Sequence, residues 1–190
     1  TYHLGYILGP RINAGGRIGD AALGARLLTT DDETEAQKIA VLLDKLNKER
    51  KAIETQMLEE AFADADRRVS ETPDLPVVVV GSETWHKGVV GLVASRLVER
   101  FGRPSCVIAW EKQAGSGAQT GTGSLRSVAG VDIGAAVRGA VSAGLLQKGG
   151  GHAMAAGLTV ARERLGSVES YFARELADAS SAARARVGLE

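Results

Sequence analysis

Cysteine is all but missing from this chain. One thiol, Cys106, among 190 residues excludes an intrachain disulfide and fits a reducing compartment. With VIAW following it, Cys106 reads as a small buried hydrophobe. Aromatic residues are scarce, three Tyr, three Phe and two Trp. That is too few for a sheet that reads nucleic acid by stacking several bases on aromatics. Neither sign of charge is in excess, with 23 Lys and Arg against 23 Asp and Glu. The chain as a whole has no electrostatic hold on a polyanion, so such a ligand must be met by a local patch. There is no run of 18 or more apolar residues and no basic-then-apolar leader, from which a soluble, cytoplasmic protein is expected. The chain opens on Thr1 rather than Met and is read as a piece of a longer protein.

Several catalytic signatures are missing as well. No GxxxxGK[ST] loop occurs, and no complete GxGxxG follows a strand. The chain has three histidines, and no Cys/His or Asp/His spacing suits a metal. No Ser–His–acid arrangement can be assembled. Such a chain is equipped to bind a phosphate but not to hydrolyse one. No metal or cofactor is expected on it, and no catalytic residue is assigned.

Glycine, by contrast, is abundant. Its 24 copies cluster at 9–24 and 115–157. The stretch around which the rest is organised is GGGHAMAAG, 149–157. Three consecutive glycines, Gly149, Gly150 and Gly151, offer peptide N–H groups that no side chain shields, and such a run forms an anion-binding nest. His152 follows it, a donor that titrates near neutral pH. A glycine-rich turn into a core strand is the competing reading, and the residues alone leave both open.

Taken in order, residues 1–19 read as an ordered loop, broken by Pro10 and five glycines, with Arg11, Asn13 and Arg17 as polar content. Asp20 is placed to cap a short helix, AALGARLLTT. Residues 32–70 carry apolar side chains at a repeat near 3.6 with charges between them. They predict one helix of roughly 50–60 Å, capped by Asp31 or Asp32 with Glu35 set for a capping box. Such a helix either bridges two domains or lies along one core. After Pro73 and Pro76, VVVVG (77–81) predicts a buried, central strand, 88–101 an amphipathic helix and SCVIAW (105–110) a second strand. Together they make a βαβ unit with parallel pairing. A hairpin tip at 115–123, a strand near 120–126, a helix at 132–143 capped by Asp132, a final strand from GGGHAMAAGLTV and a helix at 162–179 complete the reading. The fold class expected is α/β, a small sheet with a parallel βαβ core preceded by a long connecting helix.

Ligands of open α/β sheets collect beyond the carboxyl ends of the strands. His86 and Lys87 follow the first strand there, just before a helix N-terminus. Arg126 and Ser127, in GSLRS, end the hairpin strand with a bidentate cation and a hydroxyl. These side chains, the glycine run and His152 are all of phosphate-binding type, and they are expected to converge.

PRINAGGR (10–17), WHKGVVGLVASRL (85–97), FGRP (101–104), GSLRS (123–127) and GGGHAMAAG (149–157), in that order, resemble the RecJ family of single-strand-specific 5′→3′ DNA exonucleases. The likeness covers about residues 5–178, and its first two motifs are the most specific. It implies a DHHA1-like nucleic-acid-binding domain at 73–180, a connecting helix at 32–72, a remnant of a preceding DHH domain at 1–31 and a frayed tail at 181–190. It implies that this absent N-terminal DHH domain holds the Mn²⁺ or Mg²⁺ that activates water, and that the whole protein serves DNA repair and recombination. On that resemblance Asn13 and Arg17 approach the nucleotide, and Arg126, Ser127, Gly150, Gly151 and His152 contact phosphates of single-stranded DNA. His86 and Lys87 match the motif, with a packing role at the strand–helix turn equally open. Two alternatives stand beside this reading, the first of which shares the GGGH turn. One is a DHH phosphodiesterase acting on short oligonucleotides, phosphoadenosine phosphate or cyclic dinucleotides. The other is a non-enzymatic tRNA-binding module. PRINAGGR and the long helix argue against the first of these.

Overall fold

A computed structural model of the protein describes residues 2–112, 115 and 117–187. The expected hairpin tip at 115–123 and tail at 181–190 therefore fall partly outside the described residues, at position 116 and positions 188–190. The chain divides into two compact units, residues 1–56 and 57–190.

The first unit is helical. A π-helical segment, His3–Leu8, runs into α1 (Gly9–Ile18), followed by α2 (Ala22–Thr29) and the start of α3 (Glu33–Glu71). The loop expected over residues 1–19 is thus a helix. Pro10 lies in the first turn of α1, where its missing N–H is not needed. The glycines serve close packing. A Cβ on Gly24 would come within 2.9 Å of Ile12 Cγ2, and one on Gly15 within 2.7 Å of the Asp20 carbonyl. Asp20 accepts the Ala22 N–H at 2.8 Å, as its place before α2 predicts. Leu23, Ile39 and Leu43 form the buried apolar cluster of this unit. Asp32 caps α3 by accepting the N–H groups of Thr34 and Glu35 at 2.8 and 3.2 Å. Glu35 does not complete a capping box. Its carboxylate accepts from Thr30 and Arg26 instead, and these two hold it below the usual carboxylate range.

α3 is a single helix of 39 residues, about 58 Å long. Its apolar residues from Met57 on belong to the second unit, where Met57, Ala61 and Ala65 are buried. There Glu60 accepts the indole N–H of the buried Trp85 at 2.7 Å, and Asp66 pairs with Arg100 at 2.7 Å.

The second unit is a five-stranded mixed sheet in the order β1-β2-β3-β5-β4, with strands Val78–Ser82, Ser105–Lys112, Gln119–Arg126, Ala155–Ala161 and Lys148–His152 for β1, β2, β3, β5 and β4. β1 and β2 pair in parallel across α4 (Val90–Phe101), the expected βαβ unit, and the other pairings are antiparallel. Gly102, at φ +61, ends α4 in the left-handed region. β1 is an edge strand, not a central one. Its valine run reports burial on both faces, which helices supply at an edge as well. Val77 and Val79 join Ile108, Leu125, Leu158 and Phe172 in the main core with α5 (Ile133–Ser142) and α6 (Leu165–Val187). Val78, Val80 and Val107, alternate along the same strands, are buried on the opposite face. α4 packs there, on β2 and β3.

Two further expectations are corrected. GGGHAMAAGLTV is not one strand but a hairpin, β4 and β5 joined by Ala153–Met154. The helix expected to end at 179 runs on to Val187, so 181–187 is not frayed. Its alanines have a core to dock on, since Ala183 is buried, and Ser180 donates to the Pro76 carbonyl at 2.7 Å. Arg184 adds a bond to Ser180 at 3.2 Å. Ser180→Ala removes that bond at a half-buried carbonyl, an expected cost of about 1 kcal/mol. A urea titration should show a lower midpoint at unchanged slope. Burial also pushes the Cys106 thiol up, far from the reactive range. A thiol reagent should label Cys106 only as fast as the protein unfolds.

No helix among the described residues is long and apolar enough to cross a membrane.

Candidate nucleic-acid interface

Away from α4, the sheet face that carries it is open over β5 and β4, with the β3 side chains half-buried at its border. Side chains there form cross-strand rows set by the register. Arg126, Ala155 and His152 make one row, Ser124, Gly157 and Gly150 the next, and Thr122, Thr159 and Lys148 a third. Arg126 and His152 are two strands apart, about 10 Å at the backbone. The floor between them is low. A Cβ on Gly150 would meet nothing within 4 Å, and Gly157 is exposed. Lys148 and His152 are exposed, and Arg126 is half-buried.

Two helix starts hold this row. Gly91, the second residue of α4, lies under the Arg126 guanidinium, and a Cβ there would come within 2.9 Å of Arg126 Nη2. Arg126 Nη1 also donates to the Leu125 carbonyl at 2.7 Å. Gly134, the second residue of α5, packs on the His152 backbone, where a Cβ would approach the carbonyl carbon to 2.8 Å. Asp132 caps α5 by accepting the Ala135 N–H at 2.9 Å. The β4–β5 turn is pinned at both carbonyls. Ile133 N–H donates to Ala153 at 3.2 Å and Ser127 N–H to Met154 at 3.1 Å.

The residues expected to converge are sorted differently. Arg126, Gly150 and His152 share the open face. Gly149–Gly151 is not a nest of turn N–H groups but the edge strand β4. Of the three, Gly151 has positive φ, +151, and a Cβ there would strike the Ala155 carbonyl and come within 2.5 Å of Ala156 Cα. Ser127 is 5% exposed, and its hydroxyl donates to the Val131 carbonyl at 2.7 Å, so it fastens the loop rather than facing solvent. Because β3 is antiparallel to β2, the Arg126 backbone lies beside Ser105, at the end of the sheet opposite the carboxyl end of β1. Its guanidinium reaches back to the α4 start. His86 Nδ1 accepts the Gly88 N–H at 3.0 Å and shapes the turn before α4. Lys87 pairs with Glu111 at 3.0 Å. Asn13 and Arg17, in the first unit, stand one turn apart on α1, Asn13 exposed and Arg17 half-buried.

Arg138 and Lys148 were not singled out by motif. Arg138 donates to the Gly151 carbonyl at 2.9 Å, and Lys148 ends the third row. A local charge reading finds them. From Lys112 to Arg162 the sequence carries Lys112, Arg126, Arg138, Lys148 and Arg162 against one acid, Asp132. Asp132 spends its carboxylate on a helix cap. The net neutrality of the chain hides a basic stretch. Among the described residues no three His, Cys, Asp or Glu side chains group as metal ligands.

The model of the DHHA1 domain matches residues 74–184, more than half of the chain. The chain belongs to the DHHA1 domain family. It is also similar, at 41% identity over 173 residues, to the single-stranded-DNA-specific exonuclease RecJ of Dickeya dadantii, covering 90% of this chain and 29% of that protein. RecJ of Bacillus subtilis is 36% identical over 175 residues, 92% of this chain and 21% of the relative. Among solved structures, RecJ of Thermus thermophilus in complex with Mn²⁺ superposes with a TM-score of 0.73 at 34% identity, over 90% of this chain and 24% of that one. An exonuclease RecJ bound to manganese gives 0.74 at 31%, over 92% and 41%. This DHHA1 chain thus spans less than a third of the length of these curated relatives.

Proposed function

We propose that this chain is the strand-gripping part of a RecJ-like exonuclease that degrades single-stranded DNA from the 5′ end in repair and recombination. The observation that carries the reading is the Arg126–Ala155–His152 row beside a glycine floor. It offers cationic and neutral donors to a backbone phosphate, with space for the phosphate to come close. Phosphate contacts position a strand without reading its sequence, as an exonuclease requires. The similarity to RecJ proteins along almost the whole chain supports the same reading.

Hydrolysis belongs, in this reading, to a DHH domain outside residues 1–190 that carries Mn²⁺ or Mg²⁺, and no step of it is assigned to these residues. Asn13 and Arg17 approach the nucleotide from α1. Single-stranded DNA is the partner, and the cell interior the setting. Residues 1–190 alone should bind labelled oligo-dT yet release no mononucleotide with either metal, whereas the protein extended by its DHH domain should. Metal-dependent release that follows the shorter protein through a column, and stops on chelation, would overturn the division of labour. Turnover by the longer protein of two- to five-nucleotide RNA in preference to long single-stranded DNA would favour a short-oligonucleotide phosphodiesterase instead.

A further inference from the structure

We infer that Met154 is a nucleobase contact that adds affinity for unpaired strands to the phosphate grip. This rests on the proposed function, and the test below separates the two. Among the described residues of the second unit, Met154 is the large apolar side chain that stands exposed, at 50%. Trp85, Trp110 and Phe172 of the same unit are buried. Exposure here is not slackness. The turn that presents Met154 is fixed by the Ser127 and Ile133 N–H groups on its two carbonyls. The next residue, Ala155, lies between Arg126 and His152 in the cross-strand row. The backbone that carries this exposed apolar side chain is thus fixed one residue before the row that suits a phosphate.

A phosphate grip alone does not distinguish a single strand from a duplex edge. Proteins that bind single strands without sequence preference add a surface on which bases rest, because every base has a π-face. That surface is ordinarily aromatic, and this unit exposes no Trp or Phe for the task. A thioether is polarisable, unbranched and favourable against an aromatic ring. It accepts any base and releases it readily, which suits a strand that must advance.

The test compares affinities for labelled oligo-dT and for an abasic strand of equal length, with chelator present so that neither is degraded. Met154→Ala should weaken oligo-dT about two- to tenfold and leave the abasic strand and the salt dependence unchanged. Met154→Leu should retain most of the oligo-dT affinity. Equal losses on both strands, or no loss on either, would overturn the inference. Arg126→Ala is measured alongside. If it weakens binding while Met154→Ala does not, the base contact fails and the phosphate grip stands. If Arg126→Ala is silent on both strands, the grip itself fails.

Discussion

Gly151→Ala is expected to destabilise the protein by about 3 kcal/mol and to remove its affinity for single-stranded DNA. Gly150→Ala, one residue away, should keep the fold and lose only affinity. The contrast follows from the two backbones. Gly151 sits at φ +151, and any Cβ would strike the Ala155 carbonyl and crowd Ala156 across the hairpin. Backbone atoms cannot step aside as the end of a side chain can. The hairpin must open there, and it is the hairpin that sets His152 in register with Arg126. Gly150 has no positive φ, and its Cβ would meet nothing within 4 Å. Alanine there reduces the freedom of the unfolded chain and should be neutral or stabilising by up to about 1 kcal/mol. Its methyl would instead stand on the open floor, where the phosphate is proposed to approach. Urea unfolding and anisotropy of labelled oligo-dT read the two effects separately. Equal stability of both variants would mean that the strained register at Gly151 is not needed.

The same pair shows how far the sequence was legible. Three glycines before a histidine announce that side chains are unwelcome, and the packing agrees at Gly149 and Gly151. The reason differs at each position, and one-dimensional reading cannot separate them. Gly149 makes room for Val137 of α5, Gly151 takes up a backbone angle, and at Gly150 a Cβ would meet nothing within 4 Å. The βαβ unit and the Asp132 cap were legible because local chemistry fixes them. Asp132 stands where a helix start needs an acceptor for its free N–H groups, and a valine run must be buried. The edge position of β1 was not, since burial on both faces looks alike at an edge and in the middle. Helix over residues 3–18 and over 181–187 was missed for a common reason. Glycine-rich and alanine-rich stretches look weak by composition, yet both gain their stability from close packing. Gly15 and Gly24 bring α1 and α2 together, and Ala183 docks α6 on the core.

At the site, side-chain type was legible and convergence was not. Arg126 could be named from GSLRS, but its neighbours depend on the antiparallel register of β3, β5 and β4. That register separates Arg126 from Ser127, whose hydroxyl turns inward, and joins it to His152, 26 positions on in the sequence. The two helix starts then close on the row through Gly91 and Gly134. In both places a glycine at the second helical position lets a helix start come against a residue of the row. Gly91 lies within WHKGVVG and Gly134 in none of the quoted motifs, and only the packing shows what either glycine does.

Arg126→Ala is expected to lower affinity for single-stranded DNA tenfold or more at about 0.1 M salt, using roughly 1.5–3 kcal/mol for a hydrogen bond to a charged group. If the interface neutralises about three phosphates, log K should fall against log[salt] with a slope near −2, at roughly −0.7 per contact for single strands. Removing one contact should flatten that slope by about 0.7. Loss of affinity should be alike for oligo-dT and mixed sequences, because phosphates carry no base information. Arg126→Lys should keep most of the slope, since the charge remains, and lose part of the affinity, since an ammonium cannot make the planar two-point contact. Stability should change little, because the Arg126 guanidinium lies at a half-exposed surface above Gly91 and its side chain is not part of the apolar core. The measurement is a titration of labelled strand at three salt concentrations, with unfolding curves taken in parallel. A folded Arg126→Ala protein with both affinity and slope unchanged would make GSLRS a structural turn. The open face between β3 and β4 would then need another ligand.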